Sequence, residues 1–182
     1  MGTSIGLIEV KSIPVGIQSA DEMLKAANVE LLLATPICPG KYVIIINGNV
    51  GAVKSAMTTG RQVADSFLVA EHTINNVHES IPSAVLGTTV VEKIGSIGVI
   101  ETISALTAVR VGDIAAKASN VKLMEIRIAR GLGGKGYVTL TGDIAAVRSA
   151  VNSCLNELGD SGELISHCVI AQPHPGLIDK LQ

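Results

Sequence analysis

IGLIEVKS, running from Ile5 to Ser12, returns as IGVIETIS from Ile97 to Ser104, an offset of 92 residues. The match continues beyond that stretch. DEMLKAANVEL from Asp21 faces DIAAKASNVKL from Asp113, and 11 of the 29 positions from Ile5 to Leu33 are identical, where composition alone gives about two. After two inserted residues the offset becomes 94, and GKYVIIINGNVGAVKSA from Gly40 faces GKGYVTLTGDIAAVRSA from Gly134, with 7 of 17 positions identical. A period of this length is a complete small domain rather than one unit of a solenoid. The chain therefore reads as one fold written twice, a first domain over residues 1–91 and a second over 96–182.

Period and punctuation give the element order within each copy. Ser4 to Val10 has strand character, and Gly16 to Ala27 places Ile17, Ala20, Leu24 and Ala27 on one helical face. Val29 to Ala34 and Lys41 to Asn47 are β-rich runs separated by a loop marked by Pro and Gly. Asn49 and Asp143 each precede an alanine-rich helical stretch and are good N-caps. A last strand, Phe67 to Ile74 or Glu163 to Ala171, closes each unit. The order βαββαβ predicts an α+β fold of the ferredoxin-like kind, an antiparallel sheet with helices on one face.

Composition narrows the function classes. Hydrophobic residues make up 47% of the 182 positions and aromatics 2%, so the cores are aliphatic and thin. A net charge of −2, with 14 Lys and Arg dispersed along the chain, offers no footprint for nucleic acid. No apolar run approaches the length of about 20 residues that a membrane span needs. The opening residues lack the features of a signal peptide, so a cytoplasmic address is expected. Three cysteines, an odd number, argue against a disulfide framework. No convergent set of acid, base and nucleophile is visible, and Glu9 and Glu101 recur at one strand position, the mark of a structural duty; the protein is not expected to be an enzyme. The loop Gly131 to Gly136 is not a phosphate loop, because Ala129 stands where glycine is required and Gly136 where Ser or Thr is required.

IGLIEV and IGVIET, KAANVEL and KASNVKL, the GNVGAV and GDIAAV junctions, and INNVH and IAQPH together resemble the bacterial microcompartment shell domain, in both copies. Two such domains in one chain resemble the tandem-domain shell proteins, and among them the iron–sulfur type of propanediol-utilisation compartments. The resemblance implies a homotrimer that imitates a hexamer, tiling with other microcompartment shell proteins in a cytoplasmic compartment shell. It also implies a central pore lined by the loop between the second and third strands. Here those residues are Pro36, Ile37, Pro39 and Gly40 in the first copy and Gly131, Leu132, Gly133 and Gly134 in the second.

Cys38 sits in TPICPGK within that loop, where the second copy reads ARGLGGK. Three copies of Cys38 around a threefold axis would offer three thiolates to one 4Fe-4S iron–sulfur cluster per trimer, its fourth iron left to a non-protein ligand. Lys41 nearby is expected to favour the thiolate. The implied role is electron transfer across the shell, with encapsulated redox enzymes as possible partners. The alternative is a tile with an open pore for small polar metabolites, in which Cys38 is merely lining. Cys154 falls on a helical apolar face and reads as core, and Cys168 beside His167 reads as structural. Lys25 and Lys117, at matching helix ends, correspond to the lysine that lies at the edge between tiles in this family. The edge segment departs from the family pattern, with Asn76 and Gln172 replacing its frequent arginine.

Overall fold

The computed structural model describes residues 3–128 and 131–181; Met1, Gly2 and Gln182, at the ends of the expected domains, lie outside the described residues, as do Ala129 and Arg130. The chain divides into two compact units, Met1–Val77 with Ala129–Gly134, and His78–Ile128 with Lys135–Gln182. The units part between Val77 and His78 rather than near residue 91.

The first unit runs β1 (Thr3–Val10), α1 (Ile13–Ala26), β2 (Glu30–Ile37), β3 (Lys41–Asn49), α2 (Val50–Ala64) and β4 (Leu68–Asn75). Its sheet has the order β2-β3-β1-β4, antiparallel throughout. Alternation along the strands sends Ile8, Val10, Tyr42, Ile44 and Ile46 to the side of the helices. There they meet Met23 of α1 and Val53, Ala56 and Met57 of α2. Burying an aliphatic side chain of this size contributes about 1.5–3 kcal/mol, which is how so small a unit holds together with few aromatic rings. Asn49 caps α2 as expected, its Oδ1 accepting from the Ala52 amide at 2.8 Å. α1 begins three residues earlier than the sequence pattern indicates, because Pro14 lies in its first turn, where a missing amide hydrogen costs nothing.

The second unit repeats the plan as β5 (Ser96–Thr102), α4 (Ala105–Ala118), β6 (Lys122–Ile128), β7 (Gly136–Gly142), α5 (Ile144–Leu158) and β8 (Leu164–Ile170), with sheet order β6-β7-β5-β8. Asp143 precedes α5 at the capping position, but its side chain makes no capping bond. Two short helices were not foreseen. α3 (Ile81–Leu86) packs on α4 and β6 within the second unit, and α6 (Pro175–Ile178) follows β8.

One packing exchange distinguishes the copies. Gly16 of α1 lies against Tyr42, where an added Cβ would come within 2.6 Å of the Tyr42 Cβ. At the corresponding positions Ala108 faces Gly136, where an added Cβ would come within 2.7 Å of the Ala108 Cβ. Each copy thus fills the same gap between first helix and third strand, with bulk supplied from opposite sides.

Candidate functional site

β2 and β3 pair to the very end of the hairpin, with Ile37 opposite Lys41, so the connection is the three-residue turn Cys38-Pro39-Gly40. Gly40, at φ +73°, takes the left-handed conformation that lets so short a turn close. The Cys38–Pro39 peptide is cis. The thiol of Cys38 is free and half-buried.

The loop of the second repeat belongs to the same compact unit as this turn. Gly131, Gly133 and Gly134 all have positive φ, at +74°, +63° and +94°, so this loop has a backbone path that side-chain-bearing residues rarely follow. A Cβ on Gly134 would stand 3.2 Å from the Cys38 carbonyl oxygen. Pro36, Ile37, Cys38, Gly40 and Gly131 line one open cavity of about 460 Å³. Of the loop residues named from the sequence, Pro36, Ile37, Gly40 and Gly131 share this cavity and Gly134 lies beside Pro39, with Ile37 buried beneath the exposed Pro36, Pro39 and Gly40.

Lys41 corrects one expectation. Its ammonium is bound to Glu9, with Nζ donating to Oε1 at 2.5 Å, instead of being left free to favour the Cys38 thiolate. The Glu9 carboxylate is 2% exposed, and its second oxygen is buried without a hydrogen-bond partner among the described residues. The equivalent pair in the second copy is more open. Lys135 donates to Glu101 at 3.1 Å and Ser166 donates to the other carboxylate oxygen at 3.1 Å. Lys135 and then Ser166 hold the Glu101 carboxyl below its ordinary range.

The other thiols are unlike Cys38. Cys154 is fully buried on α5, its Sγ donating to the Val111 carbonyl at 3.5 Å, and burial pushes its pKa up to about 12. Cys168 is exposed on β8, so the structural reading given to it fails: neither side of that strand near His167 and Cys168 is covered in this chain. Among the described residues no three His, Cys, Asp or Glu side chains gather as a metal site within one chain. A second open cavity, about 700 Å³, lies in the second unit against Met124, Glu125, Arg127, Tyr137 and Lys180. In it Arg127 Nε donates to Glu125 at 2.5 Å and Tyr137 donates to the same carboxylate at 3.3 Å. Burial, then the Glu125 charge, raises the Tyr137 phenol above its ordinary value, so it keeps its proton.

Lys25 is ion-paired with Asp21 and Glu22 of its own helix, and Lys117 with Asp113 at 2.5 Å. Asn76, in a left-handed conformation at φ +51°, and Gln172 are exposed at the ends of the last strands.

Both units match one family model, the BMC domain, over residues 4–77 and 96–173. The chain belongs to the BMC domain family. The resemblance read from the repeated motifs thus holds in both copies. The chain is similar to bacterial microcompartment shell protein PduT of Citrobacter freundii, 39% identical over 177 residues that cover 97% of this chain and 96% of that protein. A single BMC domain's length is shared with bacterial microcompartment shell protein PduA of Salmonella typhimurium, at 35% identity over 43% of this chain and 85% of that one. Among solved structures, a microcompartments protein from Desulfitobacterium hafniense superposes with a TM-score of 0.95 at 44% identity, covering 98% of this chain and 99% of that one. The fused permuted hexameric shell protein MSM0275 of the RMM microcompartment shares the fold, with a TM-score of 0.61 at 22% identity over 87% and 84% of the two chains. Among the described residues no helix is long and apolar enough to cross a membrane.

Proposed function

We propose that this chain is a structural tile of a bacterial microcompartment shell, without bond chemistry of its own, which closes head to tail into a homotrimer presenting six BMC domains around one axis. Similarity to a microcompartment shell protein along nearly the whole of both chains supports the shell role. The observation that carries the ring is unequal burial of equivalent residues. Ile13, Ile17, Leu24 and Leu31 of the first copy are exposed, Ile17 to 54%, whereas their counterparts Ala105, Val109, Ala116 and Leu123 are buried. A duplicated chain that buries one copy's helix face and leaves the other's open carries complementary ends, and rotation about an axis is the economical way to close them.

The second part of the proposal is that the Cys38 turns meet at that axis and hold one 4Fe-4S cluster per trimer. The residues present fit such a group. Cys38 is a free, half-buried thiol in a tight turn, and the cavity it lines carries no competing carboxylate or imidazole. One thiol per chain suffices only if three chains share the site. When bound, the cluster supplies one-electron exchange, which suits electron transfer between the two sides of a shell and makes encapsulated redox enzymes the natural partners. The Gly131–Gly134 loop beside the turn would shape the surroundings of the sulfurs. Lys25, Lys117, Asn76 and Gln172 are the proposed edge contacts to neighbouring shell proteins.

Iron and acid-labile sulfide, counted per three chains in protein purified without oxygen, test both parts together with native mass. Brown protein with about four irons per three chains, lost in Cys38→Ser while the trimer mass persists, is the expected result. A colourless, iron-free trimer would reject the cluster and leave the open-pore tile; a single-chain mass would reject the ring as well.

A further inference from the structure

The second unit contains a docked segment whose parts are found again elsewhere in the chain. In the second unit the amide of His78 donates to Oδ1 of Asp113 on α4 at 2.8 Å, and Lys117 secures the other carboxylate oxygen at 2.5 Å. Three residues on, Ile81 opens α3 and is fully buried, within reach of Gly112 on α4. A segment that begins at a histidine thus docks on the outer side of this helix through one charged hydrogen bond and one aliphatic side chain.

The charged and apolar parts of that arrangement recur at the other end of the repeat, unassembled, with Ala20 in the place of Gly112. Asp21 and Lys25 on α1 occupy the positions of Asp113 and Lys117 and form the same ion pair. Yet the Asp21 side chain is 58% exposed where that of Asp113 is 7% exposed. His174 occupies the position of His78, and the local turn is the same. His174 Nδ1 accepts from the amide two residues later at 3.1 Å, as His78 Nδ1 does at 3.3 Å. Leu177 stands three residues after His174, as Ile81 does after His78, and is 40% exposed.

We infer that in the assembly the segment from His174 to Leu181 of one copy docks on α1 of the next, the His174 amide donating to Asp21 and Leu177 covering the stripe around Ile17. The occupant is a second copy of this chain because the chain itself supplies an internal instance of the joint, with aspartate, lysine and histidine at equivalent places. The Asp21 carboxylate, ion-paired with Lys25 and open to solvent, is a charged acceptor for an amide that would displace water. This inference rests on the ring proposed above and adds to it which surfaces meet and which residue sets their register.

The test uses the full chain with p-benzoylphenylalanine at position 177. After irradiation, denaturing gels are expected to show linked dimers and trimers, with peptide mapping placing the bond between residues 13 and 25 of a different copy. Asp21→Ala and Asp21→Asn are expected to raise the concentration at which the assembly dissociates by about tenfold or more. Their melting at high protein concentration should fall less than that of Asp113→Ala, which breaks the internal joint. A trimer by native mass whose position 177 links elsewhere, or links only within its own chain, overturns this inference and leaves the ring standing. A single-chain mass for the unmodified protein overturns both.

Discussion

Lys41, at the start of β3, reaches to the neighbouring β1 to bind Glu9, and the same pairing recurs in the second copy as Lys135 with Glu101. In both copies the lysine is the residue that follows the loop between second and third strands, so the pair ties the base of that hairpin to a central strand of its sheet. The environments differ: Glu9 is sealed, with one oxygen unpartnered, whereas Glu101 is open to solvent and bonded on both oxygens. Glu9→Gln leaves the Lys41 ammonium facing a neutral amide in a buried setting. A loss of about 2–4 kcal/mol in unfolding free energy is expected, read by denaturant titration. Glu101→Gln should cost clearly less, as solvent-exposed pairs do. Equal losses would mean that burial does not set the strength of these pairs.

The Glu101 carboxyl also gives the protein a definite acid response. Its pKa in the folded state lies below the ordinary carboxylate value, chiefly because of Lys135 and then Ser166. A depressed folded pKa contributes stability that is present above the unfolded value and is lost as pH falls through the folded one. Melting temperature followed downward through the acid range should therefore decline less steeply in Glu101→Gln than in the unaltered protein, with the two curves differing most near neutrality. Parallel curves would show that the ion pair is not formed in solution.

Gly16 has no spare volume beside it. A methyl group there would meet the Cβ and ring of Tyr42, which cannot swing aside as a methionine could. Gly16→Ala is expected to destabilise by about 1–3 kcal/mol despite the better helix propensity of alanine, since overpacking outweighs a gain of under about 1 kcal/mol. Combined with Tyr42→Ala the two losses should sum to less than their separate values, because the shorter side chain vacates the clash. Additive losses would place the strain elsewhere.

The extent to which this could be read from the sequence follows from what each signal encodes. Strands and long helices were legible because aliphatic alternation and the repeat reported them twice, and Asn49 performed the capping its position implied. The short helices were missed, although Pro82 at the start of α3 and Gly87 at its left-handed end are ordinary helix signals. Six residues carry too little periodicity to stand out. The special backbone of the two loops was legible, since runs of Gly and Pro between strands announce it, and Gly40, Gly131, Gly133 and Gly134 all have positive φ. The destination of Lys41 was not legible, because its partner Glu9 lies 32 residues away and is set by strand register. Likewise, Cys168 lies in β8, whose place at the edge of the sheet only the topology reveals.

The three cysteines should separate by chemistry as sharply as they do by place. A thiol with a pKa of about 12 is thiolate to roughly one part in ten thousand at pH 8, and Cys154 is also fully buried. Cys168 is exposed and Cys38 half-buried. In metal-free folded protein, a disulfide reagent such as Ellman's is expected to titrate Cys168 at once and Cys38 more slowly. Cys154 should react only when denaturant opens the second unit, at a rate that follows unfolding. Protein carrying iron should lose the Cys38 phase alone, since a ligated thiolate is withheld from the reagent while Cys168 is untouched. If the phase that iron suppresses persists in Cys38→Ser, the metal is bound at some other thiol and the loop is only a loop.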